Sequence, residues 1–197
     1  MITILIPILN EEKNIDFLCS KIFSNHLLNN IISKIIFIDD NSQDASLQEL
    51  KKVSSKYNKI NNIIRKNEKK DLTQSILLGL KKLNSDYVCV MDGDLQHDVN
   101  QLITFHEYIK QYNLDLVIGS RFLLKNKLDE FNFHRKVLSK IAILLCRMIG
   151  ISNISDPLSG YFMIRTSYFK SIERKINTNG YKILITILFI LKNKIRT

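Results

Sequence analysis

The sequence predicts a three-layer α/β domain built on a mainly parallel sheet. Short runs rich in Ile, Leu and Val alternate along the chain with segments whose apolar residues recur at helical spacing. Such alternation is typical of a parallel sheet covered by helices on both faces. The 197 residues are 45% hydrophobic and 24% charged, so the chain is long enough for one core and has a globular composition.

The first part of the chain supplies most of this pattern. Apolar runs predict strands at ITILIPI (2–8), KIIFIDD (34–40), NNIIR (61–65), YVCVM (87–91) and LDLVIGSRF (114–122). Helical spacing predicts helices between them, at about 10–22, 44–56, 72–83 and 99–111. Asp44 stands where it can cap the second of these helices.

The last third of the chain differs in character. It contains a basic, strongly apolar helix at 133–150, a turn and strand at 154–165, and a final helix at 181–194. We therefore expect one domain over residues 1–197, with a first part at 1–122 and a second part at 123–197.

Charge and cysteine content narrow the class of partner and the compartment. The net charge of +10 favours anionic partners, but nucleic acid is disfavoured because no basic stripe is interleaved with aromatic residues. Cys19, Cys89 and Cys146 form no metal-binding spacing and are expected to be small core residues in a reducing compartment. No signal peptide or stretch of about 20 apolar residues is present, so we expect a cytoplasmic protein that can lie on a membrane without crossing it.

Polar clusters follow four of the predicted strands. They are Asn10-Glu11, Asp39-Asp40, Asp92-Gly93-Asp94 and Ser120-Arg121. One acid after a strand is an ordinary turn, but ligands of parallel sheets bind at the carboxyl ends of the strands. Four such clusters at one edge predict a binding site there.

The Asp-Gly-Asp cluster favours a metal site. On an extended strand end, Asp92 and Asp94 point to one side, and Gly93 between them lets a ligand approach the backbone. Mg²⁺ and similar cations use one or two carboxylates together with substrate phosphates, and Gln96 is near enough to add an oxygen. A glycine-rich phosphate loop is excluded at the first strand, because the first glycine of the chain is Gly79. A simple Asp-Gly turn is the alternative.

Five ordered motifs carry a family resemblance. They are IPILNEEKNI, FIDDNSQDAS, VMDGDLQHD, VIGSRF and DPLSGYFMIR. In this order and spacing the chain, from Ile2 to about Leu191, resembles the family-2 inverting glycosyltransferases, and within them the dolichyl- or polyprenyl-phosphate mannosyltransferase branch. The resemblance implies the A-type glycosyltransferase (nucleotide-diphospho-sugar transferase) fold.

The resemblance also implies a donor site for a nucleotide-diphosphate sugar, with GDP-mannose preferred. It makes residues 1–122 the nucleotide-sugar-binding part and residues 123–197 the acceptor-side part. The residues implied around the base and ribose are Pro7, Leu9, Glu11 and Asp40. Asp92 and Asp94, with Gln96, would hold a divalent metal, Mg²⁺ or Mn²⁺, against the diphosphate. For Glu11 and Asp40 the alternative is that they are acids starting a helix, and His97 is expected to be a surface neighbour of the site.

On the acceptor side, the resemblance implies phosphate contacts. Arg121, and Arg135 with Ser139, would meet phosphate groups of donor or acceptor, so Asp94, Arg121 and Arg135 are the candidate catalytic residues. A phosphate monoester is already an anion near neutral pH and needs no carboxylate base, which suits a polyprenyl-phosphate acceptor. The helix from Arg135 to Met148 could rest on anionic lipid, or it could equally be a core helix with basic flanks.

Some features depart from the family pattern. Asn41 stands at a common glycine position, which is tolerable because Asn accepts left-handed backbone geometry. The basic loop that follows the last helix in the resembling enzymes has no counterpart in KNKIRT, so we expect donor binding with impaired transfer. Two alternatives stay open: another donor such as UDP-glucose on the same fold, and a truncated, non-catalytic module that binds sugar nucleotides.

Overall fold

The computed structural model describes residues 1–66, 69–120, 143–144, 146–147, 154–176, 183–191 and 194–197. A six-stranded sheet forms the centre of these residues, in the order β3-β2-β1-β4-β6-β5. The strands are β1 (Ile2–Ile8), β2 (Ile32–Asp39), β3 (Ile60–Ile64), β4 (Tyr87–Val90), β5 (Leu116–Ile118) and β6 (Phe162–Arg165). The sequence placed all six, although β5 is much shorter than the predicted run.

Helices cover both faces of the sheet. They are α1 (Ile15–Ser24), α2 (His26–Ile31), α3 (Ser46–Lys56), α4 (Leu72–Leu80), α5 (Gln101–Gln111), α6 (Thr166–Ile172) and α7 (Ile183–Leu191). Side chains alternate across β1, so that Ile4 and Ile6 pack with α1, α3 and α5, whereas Leu5 packs with α4, α6 and α7. This arrangement confirms the predicted three layers.

Strands β1 to β4 pair in parallel, whereas β6 pairs antiparallel with both of its neighbours. β1 pairs in parallel with β2 and β4, and β2 pairs in parallel with β3. β6 lies antiparallel between β4 and β5, so that Phe162 at its start is the partner of Val90 at the end of β4. The residues that precede β6 therefore reach the same edge as the carboxyl ends of the parallel strands.

That edge contains the point where chain order reverses, because β2 and β4 flank β1 on opposite sides. In open α/β sheets a crevice forms at such a point, since the loops leaving the two neighbouring strands diverge. The fold thus directs the ends of β1, β2 and β4 and the start of β6 toward one crevice.

Several boundaries differ from the predicted ones. The first helix begins at Ile15 rather than near Asn10, and α2 was not predicted. Of the predicted helix at 133–150, the described residues Ile143, Leu144, Cys146 and Arg147 are helical. All three cysteines are buried, as expected of small core residues. Within the described residues, no helix has the length and apolarity needed to cross a membrane.

Candidate functional site

A cleft of about 600 Å³ lies at the carboxyl edge of the sheet. Seven of the predicted site residues line it together: Pro7, Leu9, Glu11, Asp40, Asp92, Gly93 and Asp94. The lining also includes Lys70, Leu72, Ser75, Leu158 and Gly160, which sequence reasoning did not select. Loops after three parallel strands and before β6 therefore meet at one concave surface.

The aspartates after β4 leave the core where the strand ends. The Met91 N–H still donates to the Leu5 carbonyl across the sheet, at 3.1 Å, but the Asp92 side chain is already 38% exposed. Asp94 Oδ1 accepts the Gln96 N–H at 3.1 Å, and Leu95 between them has a left-handed φ of 64°. The chain turns sharply here and presents two carboxylates to the cleft.

Gln96 lies beside this pair rather than in the cleft wall. Its side chain is exposed, and it is not among the residues that line the cleft. Its backbone N–H positions Asp94, as described above.

Two glycines fit closely around the aspartates. A Cβ on Gly93 would lie 2.8 Å from Cγ2 of Ile8, a distance that real Cβ atoms essentially never show. A Cβ on Gly160 would lie 2.5 Å from Oδ2 of Asp92. Gly93 thus allows β4 to lie against β1, which is a packing reason beside the predicted one of ligand approach. Gly160 leaves room for the Asp92 carboxylate.

Glu11 faces the aspartates from the loop after β1. Its backbone N–H donates to Ser46 Oγ at 2.8 Å, and its Oε2 accepts from Nδ2 of Asn14 at 2.6 Å. Burial raises the pKa of Glu11, and the negative charges of Asp94 and Asp92 raise it further. Carboxylate charge is therefore concentrated at this side of the cleft.

The loops after β1 and β2 are tied to each other by hydrogen bonds. The Asn10 N–H donates to Ser42 Oγ at 2.8 Å, and the Gln43 N–H returns to Asn10 Oδ1 at 2.8 Å. Asn10 and Asn41 have φ values of 59° and 63°, which confirms that Asn41 adopts the left-handed geometry expected of it. These bonds fix the backbone on which Glu11 stands.

Asp40 is buried at the base of the cleft, and both of its carboxylate oxygens bind groups of the protein. Its Oδ1 pairs with Nη1 of Arg65, and its Oδ2 accepts the Asp71 N–H at 2.6 Å. Arg65 also donates to the Asp71 carbonyl at 3.1 Å, and Asp71 Oδ1 caps α4 by accepting the Gln74 N–H at 3.0 Å. Sequence reasoning missed Arg65, although a basic residue directly after the NNII strand was a usable signal.

The paired aspartates suit a hard divalent cation. In the described part of the chain, no group of three or more His, Cys, Asp or Glu side chains could hold a metal by itself. Two carboxylates with a third nearby match instead a cation that completes its shell with substrate phosphates. The oxygen donors and the negative charge of this cleft fit Mg²⁺ or Mn²⁺.

One protein family matches most of the chain. The model of "Glycosyl transferase family 2" matches residues 3–173. The chain belongs to glycosyl transferase family 2. The resemblance found in the five sequence motifs is confirmed.

Curated relatives of this family-2 chain are dolichol-phosphate mannosyltransferases. The protein of Pyrococcus furiosus is 34% identical over 95% of the chain and 52% of its own length. The protein of Saccharomyces cerevisiae is 30% identical over 94% of the chain and 69% of its own length. The chain thus spans between about half and about two thirds of these relatives.

Solved structures show the same fold. Glucosyl-3-phosphoglycerate synthase from Mycobacterium tuberculosis, crystallised with Mn²⁺, UDP and glucosyl-3-phosphoglycerate, superposes with a TM-score of 0.75. The superposition covers 98% of this chain and 66% of the synthase chain, and the two sequences are 17% identical. The likeness confirms the predicted A-type glycosyltransferase fold.

The remaining predicted residues of the family-2 site lie outside the described residues. They are Arg121, Arg135 and Ser139. His97 is described and neighbours the aspartates as expected, and its side chain is partly buried, at 14% exposed.

Proposed function

We propose that this family-2 chain transfers a hexose, with mannose preferred, from a nucleotide-diphosphate sugar to a polyprenyl phosphate with inversion. GDP-mannose is the preferred donor. This reaction is supported by two curated relatives that are named dolichol-phosphate mannosyltransferase and are 34% and 30% identical to the chain. Residues 1–122 would form the donor part and residues 123–197 the acceptor part.

The observation that carries the proposal is the pair of carboxylates in the cleft. Asp92 and Asp94 line the same space as Glu11 and Asp40, on loops from three neighbouring strands. A volume of about 600 Å³ is in the range of small-molecule sites. Loops after β1 and β2 would hold the nucleoside, and the loop after β4 would lie at the diphosphate.

The chemistry requires one substitution at the anomeric carbon. An oxygen of the acceptor phosphate attacks that carbon opposite the diphosphate, and the bond from carbon to the diphosphate oxygen breaks. The nucleoside diphosphate leaves with the electron pair, and no base is needed because the acceptor is already an anion. A divalent metal held by Asp92 and Asp94 would stabilise the negative charge on the leaving diphosphate.

Positive side chains would complete the site. Lys70 lines the cleft beside Asp40 and can approach an anionic donor. Arg121, and Arg135 with Ser139, would contact phosphate groups of donor or acceptor. We place the reaction at the cytoplasmic face of a membrane, with peripheral contact, because a polyprenyl chain remains in the lipid.

The proposal is tested first by donor binding. Thermal unfolding should be measured with GDP-mannose, UDP-glucose, GDP and UDP, each with and without Mn²⁺. Ligand at about 100 times its Kd stabilises a folded protein by about 2.7 kcal/mol. We expect the largest metal-dependent rise in Tm with GDP-mannose, and a larger rise with UDP-glucose would move the donor assignment to UDP-glucose.

Variants of the carboxylates then locate the metal. Asp92→Asn and Asp94→Asn should abolish the Mn²⁺-dependent rise while leaving the ligand-free Tm close to that of the unaltered protein. They should also lower transfer of labelled mannose to polyprenyl phosphate by on the order of 10²–10³-fold. The matched control is Asp98→Asn, an exposed aspartate on the same loop that does not line the cleft. Wild-type metal dependence in both cleft variants would mean that the pair is only a turn.

A further inference from the structure

His97 contacts one of the two cleft aspartates. Its Nε2 lies 3.3 Å from Oδ2 of Asp92, and the imidazole is 14% exposed while the carboxylate is 38% exposed. A largely buried ring thus touches a carboxylate that opens into the cleft. With the proton on Nε2, the ring donates to Asp92 and fixes one of its oxygens.

The ring of His97 is itself held in place by Tyr161. The two ring centroids are 4.7 Å apart with a tilt of 30°. The Tyr161 ring packs on Phe105 at 4.8 Å, and its hydroxyl donates to the Asp98 carbonyl at 3.1 Å. Tyr161 is only 1% exposed. His97 therefore rests on a side chain that is fixed at both its ring and its hydroxyl.

The residue before Tyr161 encloses the same carboxylate from another direction. A Cβ on Gly160 would lie 2.5 Å from Asp92 Oδ2, the oxygen that His97 contacts. Gly160 and Tyr161 lead directly into β6, whose start is paired with the end of β4. The carboxylate is thus confined between a histidine of its own loop and the backbone of the segment that leads into β6.

We propose that His97 is a positioning residue for the metal site: it holds the Asp92 carboxylate so that the oxygens of Asp92 and Asp94 can bind one cation. The inference rests on the proposed function, because it assumes that Asp92 binds metal. A hydrogen bond to a ligating carboxylate restricts its rotation, and loss of such a bond typically costs about 10–100-fold in metal affinity. The contact through His97 connects the packing of Tyr161 with the geometry of the cation site.

Two substitutions separate the hydrogen bond from the ring. His97→Phe keeps an aromatic ring against Tyr161 but removes the donor, whereas His97→Gln keeps an N–H at a similar reach and removes the ring. Since Asp92 is partly exposed, water can replace the lost donor, and neither variant should unfold the protein. The matched control is His26→Phe, because His26 is an exposed histidine that contacts Asn30 at 3.2 Å and not Asp92.

The measurement is the dissociation constant of Mn²⁺, followed by electron paramagnetic resonance of the free ion in the presence of saturating GDP, with UDP in parallel. We expect His97→Phe to raise this constant by about 10-fold or more, and His97→Gln to recover most of the loss. In mannose transfer, the same loss should appear as a higher KM for Mn²⁺ with little change in kcat at saturating metal. The ligand-free Tm and the His26→Phe constant should remain near those of the wild type.

The possible failures are distinguishable. If the wild-type chain binds no Mn²⁺ with either nucleotide, the proposed function fails and this inference fails with it. If the wild type binds Mn²⁺ and His97→Phe binds it equally well, only the role of His97 is wrong. A loss in His97→Gln together with wild-type affinity in His97→Phe would assign the effect to ring packing. Equal loss in both variants would show that an N–H donor at this position does not restore the site. Either outcome would overturn the hydrogen-bonded positioning role.

Discussion

Asp40 follows β2 and Asp92 follows β4, and both line the same cleft, yet their side chains are held very differently. The Asp40 side chain is 8% exposed and pairs with Arg65, while its second oxygen accepts the Asp71 N–H. Asp92 is 38% exposed and contacts His97 through one oxygen. A carboxylate whose oxygens are already bonded by the protein shapes the cleft, whereas one with unused lone pairs can bind a cation.

The same contrast extends to the surrounding loops. The braced loops, which we define as residues 9–12, 40–46, 65–66 and 69–71, are joined by hydrogen bonds between backbone and side chains. The aspartate loop, residues 92–98, is positioned by ring packing of His97 on Tyr161, by the hydrogen bond from Tyr161 to the Asp98 carbonyl, and by close contacts at Gly93 and Gly160. We therefore expect substitutions of polar side chains in the braced loops to affect folding first, and substitutions of polar side chains in the aspartate loop to affect metal binding first.

The largest effect is expected from Arg65→Ala. Removal of one partner from a buried ion pair leaves a buried charge without compensation and typically costs about 3–5 kcal/mol. Arg65 also donates to the Asp71 carbonyl, so the start of α4 should loosen as well. Urea unfolding gives the change in the free energy of unfolding.

The control for this prediction is the exposed neighbour Lys66, because Lys66→Ala should change that free energy by less than about 0.5 kcal/mol. A cycle with Asp40→Ala and the double variant would measure the coupling directly. If Arg65→Ala costs no more than Lys66→Ala, the braced loops do not depend on the Arg65–Asp40 pair.

The two glycines give a sharper test of the contrast. Gly93→Ala places a methyl group 2.8 Å from the buried Ile8, and overpacking of this kind typically costs about 1–3 kcal/mol of stability. Gly160→Ala places its methyl group against the Asp92 carboxylate, which can rotate away at small cost to folding. Unfolding free energy should therefore fall more in Gly93→Ala, whereas Mn²⁺ affinity with GDP should fall in Gly160→Ala at nearly unchanged stability. The reverse ranking would refute the division between packing and metal roles.

Much of the fold could be predicted because its signals are local. The apolar runs and the polar residues that follow them located β1, β2 and β4 and the residues that face the cleft from their ends. Parallel connectivity then implied that Glu11, Asp40 and the Asp92–Asp94 pair would meet. These predictions needed only periodicity and the fact that parallel strands end at one edge.

The missed features depend on contacts that are distant in sequence. Gly160 reaches the cleft, and Tyr161 reaches His97, because β6 inserts antiparallel between β4 and β5. Strand order is not visible in local spacing. His97 was expected to be a surface neighbour of the site, but its partial burial against Tyr161, which directly precedes β6, was not predicted. The pairing of Arg65 with Asp40 likewise joins residues after two different strands.

The smallest predicted effect concerns Asp44 in the braced loops and its dependence on pH. Burial tends to raise the pKa of Asp44, but hydrogen bonds from Ser46 and Glu12 outweigh it, so the pKa lies below the usual 3.8. The folded state therefore holds the proton less tightly than the unfolded state, and the stabilisation is fully present above about pH 3.9. It is lost as the pH falls through the lowered folded pKa.

Asp44→Asn resembles the protonated form, so near pH 6 it should be less stable than the wild type by under about 1 kcal/mol, since solvent screens a partly exposed charge. Urea midpoints measured from about pH 6 to about pH 3 should converge for the two proteins, and a difference that stays constant over this range would show that the charge of Asp44 does not contribute.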